Sequence, residues 1–393
     1  MMKRLCLVMI VRNESKVIRR CLERVAPYID YWCIVDTGSD DNTKEIICDV
    51  LKNIPGELHQ REWINFGVNR TQSLQLAKGK ADYLLLCDAD EQIIFSENFS
   101  ADDLHQDVYL LQYLGDTDYS VPYLLKGDLN WFYVGVTHEY LDCDRKVERE
   151  KIQTLSILDL KDGGFKANKF IRDIALLEQG LKDEPNNSRY KFYLANSYRD
   201  NGQFEKATEW YLKRIADGGW KEEVTCSYEY LGNCYKQLND EKSAMYYWLL
   251  GYDYNPQRIE CLYNAINLLR INGQSRLAYQ LGVIAKNVAY PENDILFVKK
   301  SVYKFWIYYE LSISAYYAND FALGYQCCKY ILFANPAVNI EDITVNNLQF
   351  YQQQAKEDSC SEVEKLILRL ENIAQRNSSN KANEILKYLR GDF

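Results

Sequence analysis

Acidic side chains are concentrated where one apolar run of the sequence ends. The stretch DYLLLCDADE, residues 82–91, places Asp88, Asp90 and Glu91 directly after a strand-like run. Three acids crowded at a buried strand end repel one another unless a cation or a proton relieves them. Two carboxylates one residue apart suit a hard divalent cation, which proteins bind through few carboxylates together with phosphate oxygens. The stretch therefore indicates a metal site that also holds the phosphates of a nucleotide.

Context separates this acidic pair from two others with the same spacing. The Asp-x-Asp pattern occurs at Asp88/Asp90, Asp116/Asp118 and Asp142/Asp144. The second pair is expected in a hairpin turn and the third in a polar stretch, both as solvated loops. Only the first follows a central strand. The chain has no G-x-x-x-x-G-K-[ST] and no G-x-G-x-x-G motif, so a metal ion would have to replace the glycine-rich phosphate cradle.

Short apolar runs alternate with helical stretches over the first 160 residues. The pattern predicts strands at residues 5–11, 31–35, 57–63 and 82–87. Helices are expected between them, with Asn13 as the cap of the first and Ser39 or Asp41 as the cap of the second. This alternation implies a parallel sheet that binds ligands at the carboxyl ends of its strands, where Asp36 and Asp88 stand. Antiparallel strands are predicted to follow at residues 108–114, 119–125 and 131–136.

Composition excludes several classes of protein. The 393 residues suggest two or three domains. A formal charge of −9 with no run of Lys and Arg argues against a nucleic-acid partner. No apolar stretch approaches the ~18 residues of a membrane span. The twelve cysteines include no C-x-x-C pair and many lie in apolar runs, which indicates buried thiols in a reducing, cytoplasmic compartment.

From about residue 168 the apolar positions recur at helical spacing, and the segment repeats itself. Equivalent turns are predicted at Gly202, Asn239, Gly273 and Asn319. The residue five positions after each turn is small, namely Ala207, Ala244, Ala278 and Gly324. The intervals of 37, 34 and 46 residues between these turns bracket the 34-residue period of tetratricopeptide repeats. The segment resembles such repeats; an irregular helical bundle is the alternative.

The two patterns divide the chain into an α/β domain and an all-α domain. The predicted boundaries are 1–160 for the first domain, 161–168 for a linker, 169–337 for the repeats and 338–393 for C-terminal capping helices. The capping segment is expected to present one apolar helix face formed by Leu366, Ile367, Leu370 and Ile373.

Four motifs in order carry a family resemblance. They are LCLVMIVRNES, IVDTGSDDNT, WINFGVNRTQSLQLAKGKADYLLLCDADE and GVTHEYL. With this order and spacing, the first half of the chain resembles glycosyltransferase family 2, in the subgroup whose domain is followed by tetratricopeptide repeats. The resemblance implies the GT-A fold, a Rossmann-like mixed sheet, for the N-terminal domain.

The resemblance implies roles for five residues in binding the nucleotide-sugar donor. Val11, Arg12 and Glu14 match the segment that lines the nucleoside pocket. Asp36 matches the acid that reads the base, which is usually uracil. Arg70 matches an arginine that contacts the nucleotide.

The metal and catalytic roles follow in the same way. Asp88 and Asp90 match the metal motif for Mn²⁺ or Mg²⁺, with Asp90 as direct ligand and Asp88 partly shared with the ribose. His138 is expected as a further metal ligand. Glu139 is expected to be the general base, with Glu91 as the alternative. Since neighbours on a strand point to opposite faces, His138 and Glu139 share one site only if the strand has ended by Thr137.

The resemblance implies an inverting, metal-dependent glycosyltransferase that uses a nucleotide-diphospho-sugar, with a UDP-sugar as the expected donor. Its acceptor is a glycan, a peptide or a protein, bound in part by Trp220 and the acids Glu222 and Glu223. The competing hypotheses are an inactive helical-repeat scaffold that binds a nucleotide sugar and, with less support, a nucleotidyltransferase. The sequence carries no signal for the oligomeric state.

Overall fold

A computed structural model describes residues 2–114, 119–160, 162, 169–334 and 336–391. The chain divides into two compact units, Met1–Ser197 and Tyr198–Phe393. The first unit is built on a mixed sheet and the second is helical. The predicted linker 161–168 lies outside the described residues except for Asp162. The predicted domain boundaries stay a prediction.

An eight-stranded sheet forms the centre of the N-terminal unit. Its strands are β1 (Leu5–Val11), β2 (Tyr31–Asp36), β3 (Gly56–Gln60), β4 (Tyr83–Leu86), β5 (Glu91–Phe95), β6 (Val108–Tyr113), β7 (Ser120–Lys126) and β10 (Arg149–Asp159), in the spatial order β3-β2-β1-β4-β7-β6-β10-β5. The first four strands are parallel, and β7 is antiparallel to both β4 and β6. The buried runs of β1, β2 and β4 form the core of this unit and end at one edge of the sheet.

Three helices cover the parallel part of this sheet. They are α1 (Ile18–Val25), α2 (Thr43–Val50) and α3 (Phe66–Ala77). The predicted apolar face of α1 is buried, at Val17, Cys21, Leu22 and Val25. The prediction that Asn13 caps this helix is wrong, because Asn13 adopts φ +57° and its Oδ1 accepts a hydrogen bond from the amide of Asp40. Asn13 thus ties the loop after β1 to the loop after β2.

A separate hairpin lies beside α3. Its strands are β8 (Trp131–Val134) and β9 (Tyr140–Cys143). The expectation that Asp142 lies in a solvated loop is wrong, since Asp142 belongs to β9. Asp116 and Asp118 lie outside the described residues.

The start of α3 is packed against the turn of this hairpin. The amide of Phe66 donates a hydrogen bond to the carbonyl of Val136 at 3.1 Å. A Cβ added at Gly67 would lie 2.0 Å from the carbonyl oxygen of Gly135, so only glycine permits this approach. The contact fixes the turn at residues 135–139 against the helix that carries Arg70.

Paired helices form the rest of the chain. They are α4 (Lys169–Asp183), α5 (Ser188–Asp200), α6 (Phe204–Asp217), α7 (Lys221–Gln237), α8 (Glu241–Tyr254), α9 (Glu260–Ile271), α10 (Ser275–Lys286), α11 (Ile307–Tyr317), α12 (Phe321–Phe333), α13 (Val338–Leu348), α14 (Gln352–Lys356), α15 (Cys360–Asn377) and α16 (Asn380–Arg390). A π-helical segment, Val302–Trp306, precedes α11. The 46-residue interval before the fourth turn therefore contains this segment in addition to a loop.

The repeat pattern read from the sequence corresponds to helix pairs. Gly202, Asn239, Gly273 and Asn319 separate α5 from α6, α7 from α8, α9 from α10 and α11 from α12, with φ between +61° and +76°. Left-handed backbone of this kind favours Gly and Asn. The small residues Ala207, Ala244 and Ala278 are fully buried. In the capping segment, Leu366, Leu370 and Ile373 are fully buried in one core.

The acids near Trp220 have structural partners in the helical unit. Glu223 is buried and forms an ion pair with Arg214, with Nη2 and Oε2 3.0 Å apart. Glu222 accepts hydrogen bonds from the amides of Ile295 and Leu296. These contacts occupy both carboxylates that the sequence suggested for the acceptor, so neither supports that role.

Two further expectations concern membrane-spanning segments and the cysteine thiols. No helix within the described residues is long and apolar enough to cross a membrane. All twelve cysteines are free thiols, and ten of them are buried. A cysteine used in this way behaves as a small apolar residue.

We expect Gly67→Ala to destabilise the N-terminal unit. Alanine is the better helix former by roughly 0.5–1 kcal/mol, but its methyl group would meet a backbone oxygen that cannot rotate away. Overpacking of this kind costs about 1–3 kcal/mol, so the clash wins. Urea unfolding measures the loss, and hydrogen exchange of residues 66–77 locates it. Gln75→Ala on the exposed face of α3 is the control; equal stability of the two variants would contradict the close contact.

Candidate active site

One cavity of about 150 Å³ opens at the carboxyl ends of β1, β2 and β4. Six residues predicted to bind the donor or the metal line it: Val11, Arg12, Glu14, Arg70, Asp88 and Asp90. Thr37, the neighbour of Asp36, also lines the wall. The structure therefore gathers residues separated by 79 positions in the sequence at one edge of the sheet, although their roles stay predictions.

A largely buried arginine connects two of the predicted acids. Nη2 of Arg70 lies 2.9 and 3.0 Å from the two carboxylate oxygens of Asp88. Its Nε lies 2.9 Å from Oε1 of Glu139, as an ion contact without the alignment of a hydrogen bond. Burial works against the charge of the guanidinium, but Asp88 and Glu139 more than offset it and raise the pKa of Arg70 well above its ordinary value. Arg70 is thus a permanent cation between two carboxylates.

The His138-Glu139 pair lies in the turn between β8 and β9, after the strand has ended at Val134. The strand therefore ends before Thr137, as a shared site for His138 and Glu139 requires. The two side chains nevertheless have different neighbours. Glu139 contacts Arg70. His138 adopts φ +51°, and its ring stacks on Tyr193 of α5 with centroids 4.3 Å apart.

The predicted metal ligands are only partly assembled. Within the described residues, no three His, Cys, Asp or Glu side chains form a group that could hold a metal ion, so Asp88, Asp90 and His138 do not make a three-ligand site. Asp88 and Asp90 nevertheless line the same cavity. Two carboxylates fit a cation whose remaining ligands are phosphate oxygens and water. The site therefore fits Mn²⁺ or Mg²⁺ bound jointly with a nucleotide.

Asp36 ends β2 as a buried carboxylate with one engaged oxygen. Its Oδ1 accepts hydrogen bonds from the amides of Gly38 and Ser39, both at 3.0 Å. Its Oδ2 is buried and has no hydrogen-bond partner within the described part of the chain. A buried acceptor left without a donor costs about 1–3 kcal/mol. This oxygen is therefore suited to an N–H donor of a ligand.

Glu91 lies behind the acidic turn. Its Oε2 accepts a hydrogen bond from the amide of Asp88 at 2.9 Å, and its Oε1 accepts one from the hydroxyl of Tyr113 at 2.6 Å. The hydroxyl of Tyr123 is 3.4 Å from the same Oε1. Burial, and secondly the charge of Asp88, raise the pKa of Glu91 to about 7. With only 4% of its surface exposed, Glu91 supports the turn and is poorly placed to be the general base.

The lining residues without a predicted role include two aromatics and one cation: Trp63, Phe66 and Arg172. Trp63 packs edge-on against Phe66, with ring centroids 4.8 Å apart. Trp63 ends the third predicted strand and Phe66 begins α3, and this position between strand and helix is a signal that could have identified them. Arg172 lies on α4, far along the chain, and nothing in its sequence neighbourhood indicates a site.

The comparisons with known proteins agree with the motifs. Residues 6–96 match the family model described as glycosyl transferase family 2. A TPR repeat-containing protein of Synechococcus elongatus is 35% identical over 94 residues, which are 24% of this chain and 22% of that protein. The match thus spans about a fifth of that relative.

Solved structures with similar parts are more distant in sequence. S. aureus TarS 1–349 in complex with UDP has a TM-score of 0.34 at 14% identity, covering 65% of this chain and 92% of that chain. A tetratricopeptide repeat protein from Parabacteroides merdae has a TM-score of 0.36 at 14% identity, covering 57% and 93%. YrrB, a TPR protein, has a TM-score of 0.35 at 12% identity, covering 47% and 85%.

The fold class predicted from the sequence is confirmed. The N-terminal unit has a mixed sheet and contains the glycosyl transferase family 2 match. Tetratricopeptide-like helix pairs follow it along the chain. The mixed sheet with its family match and the left-handed turns between helices carry this assignment.

We expect the N-terminal unit to lose stability between about pH 4.5 and 7 through Glu91. The raised pKa of Glu91 means that the folded chain holds this proton more tightly than the unfolded chain. The contribution of Glu91 to the free energy of unfolding is complete below the pKa that Glu91 has in the unfolded chain. It is lost as the pH rises through the pKa that Glu91 has in the folded chain. Glu91→Gln, which keeps a neutral side chain, should reduce that slope.

Urea unfolding at pH 5, 6, 7 and 8 with EDTA measures this contribution. Glu97→Gln replaces an exposed glutamate of the same segment and should keep the wild-type pH dependence. Identical pH profiles for Glu91→Gln and Glu97→Gln would show that Glu91 is already ionised at pH 5.

Proposed function

We propose, from the glycosyl transferase family 2 domain at residues 6–96, that this chain is an inverting, metal-dependent glycosyltransferase. It moves a sugar from a nucleotide-diphospho-sugar, preferably a UDP-sugar, to a hydroxyl of a glycan, peptide or protein acceptor. The single observation that carries the proposal is the convergence of six predicted residues, the ion-paired Arg70 among them, on one cavity. A helical scaffold that binds no nucleotide sugar has no need of this convergence.

The nucleoside is placed at the β1 and β2 side of the cavity. Arg12 and Glu14 line that side together with Thr37. The buried Oδ2 of Asp36 is an acceptor for a ring N–H, and uracil offers one such group. Binding a base there would satisfy the acceptor that the folded chain leaves without a donor.

The diphosphate is placed at the Asp88–Asp90 turn. Asp90 is the stronger metal ligand, because both oxygens of Asp88 already contact Arg70. When bound, Mn²⁺ or Mg²⁺ supplies positive charge that stabilises the departing diphosphate. Arg70 holds Asp88 in place for this role and keeps its own charge at every accessible pH.

The acceptor hydroxyl is activated by Glu139. The acceptor oxygen forms a bond to the anomeric carbon on the face opposite the diphosphate. At the same time the bond between the anomeric carbon and the diphosphate oxygen breaks. The hydroxyl proton passes to the Glu139 carboxylate, and one displacement inverts the anomeric configuration. The Arg70 guanidinium, with Nε 2.9 Å from Oε1 of Glu139, holds this carboxylate beside the acidic turn.

Release of nucleoside diphosphate tests the proposal directly. Purified protein is incubated with a panel of nucleotide sugars and Mn²⁺, with and without EDTA. We expect metal-dependent release of UDP from one donor. Addition of the acceptor should increase the rate of this release. Binding of UDP without release from any donor, with candidate acceptors present, would favour the inactive sugar-sensing scaffold instead.

Glu139→Gln should lower kcat by roughly 10²–10⁴-fold, because general-base help is typically of that size. The affinity for the donor should remain, since the amide keeps the shape of the side chain. Steady-state kinetics and donor titration measure the two effects, with the exposed Glu148→Gln as control. A near-normal kcat, or a loss of donor affinity instead, would assign Glu139 to positioning Arg70.

A further inference from the structure

Helix α4 delivers an arginine to the catalytic cavity. Arg172 lies 76 residues beyond the end of the family match at residue 96, yet it lines the same cavity as Asp88 and Asp90. Its guanidinium lies over the ring of Phe66, with Cζ 4.9 Å from the ring centroid. The N-terminal unit thus completes its cavity with a cation that the family domain itself does not contain.

The position of Arg172 along the cavity follows from α3. Phe66 and Arg70 are four residues apart on this helix and therefore lie on the same face. Phe66 contacts Arg172, and Arg70 contacts Asp88. Arg70 and Arg172 both line the cavity that Asp88 and Asp90 line. Phe66 therefore connects the arginine of α4 to the helix face that carries Arg70.

Neighbouring groups orient this arginine. Its Nε and Nη2 each lie 3.4 Å from Oδ1 of Asp173, which is almost fully buried. The same oxygen accepts from the hydroxyl of Thr137, at 3.5 Å. Thr137 belongs to the turn that carries Glu139, so α4 and the catalytic turn are fixed to each other. The contacts to Asp173 are longer than the 2.9 Å contact between Arg70 and Asp88.

The formal charges of the cavity lining balance. The lining contains three arginines, Arg12, Arg70 and Arg172, and three acids, Glu14, Asp88 and Asp90. Arg70 is shared between Asp88 and Glu139, and Arg172 pairs with Asp173 at the longer distance of 3.4 Å. A nucleoside diphosphate adds at least two negative charges, so an arginine on the cavity wall favours its binding.

We propose that Arg172 binds the distal phosphate of the nucleoside diphosphate, the phosphate that leaves the sugar. This inference rests on the proposed function and adds an anion subsite built by α4. The planar guanidinium donates paired hydrogen bonds to phosphate oxygens. Because negative charge grows on this phosphate as the sugar–oxygen bond breaks, the contact strengthens during transfer.

Calorimetric titration of the full chain with UDP, UMP and uridine tests the subsite. Wild type, Arg172→Ala and Arg172→Lys are titrated with Mn²⁺ and again with EDTA. Lys182→Ala is the control, because Lys182 is an exposed residue of the same helix. Arg172→Ala should weaken UDP binding roughly ten- to a hundredfold, the size expected for hydrogen bonds to a charged group. Arg172→Ala should bind UMP and uridine with wild-type affinity. The affinity of Arg172→Lys for UDP should lie between those of wild type and Arg172→Ala, and Lys182→Ala should bind all three ligands as wild type does.

The outcomes separate this inference from the proposed function. Wild-type affinity for UDP in Arg172→Ala overturns the subsite and leaves the donor site intact. A raised KM for acceptor with unchanged UDP affinity also overturns it, and assigns Arg172 to the acceptor. Equal losses for UDP, UMP and uridine indicate a structural role and overturn it as well. If wild type binds none of UDP, GDP, ADP, CDP and TDP, the proposed function fails together with the inference.

Discussion

The ion pair of Arg70 with Asp88 and Glu139 is the interaction on which the site depends. A guanidinium this deeply buried is stable only beside compensating carboxylates, and here the carboxylates come from two different segments. The pair connects α3 to the end of β4 and to the turn between β8 and β9. One buried charge therefore fixes the relative positions of the acidic turn and the proposed base.

The surrounding backbone is shaped to allow that pair. Gly67 and Gly135 meet without side chains between them, and the left-handed His138 turns the chain so that Glu139 points at Arg70. Behind the acidic turn, Glu91 binds the amide of Asp88 and the Tyr113 hydroxyl. The polar groups of Arg70, Glu139 and Glu91 thus have partners inside the unit, where unpaired groups are costly.

Buried ion pairs also occur in the helical unit. Arg214 of α6 pairs with Glu223 of α7 and so connects two helices, and Arg258 pairs with Glu260 at the start of α9, both almost inaccessible to water. In the fourth repeat, Gly324 stands where the other repeats have alanine. The Tyr351 ring occupies the space that the methyl group of an alanine would fill. Deviations from the repeat pattern thus record local packing, and an acid beside an exposed tryptophan is weak evidence of a binding site.

Local signals in the sequence determined the strands, the repeat turns and half of the cavity lining. A continuous apolar run locates β1, helical spacing locates α1, left-handed turns favour Gly202 and Asn239, and an acid at a strand end must lie at the sheet edge. Only the tertiary structure decided which partners these residues meet. Arg70 pairs with Glu139 across 69 positions and Arg172 reaches Phe66 across 106, and His138 stacks on Tyr193. Such contacts depend on how elements pack, and packing is set by the whole core rather than by neighbours in sequence.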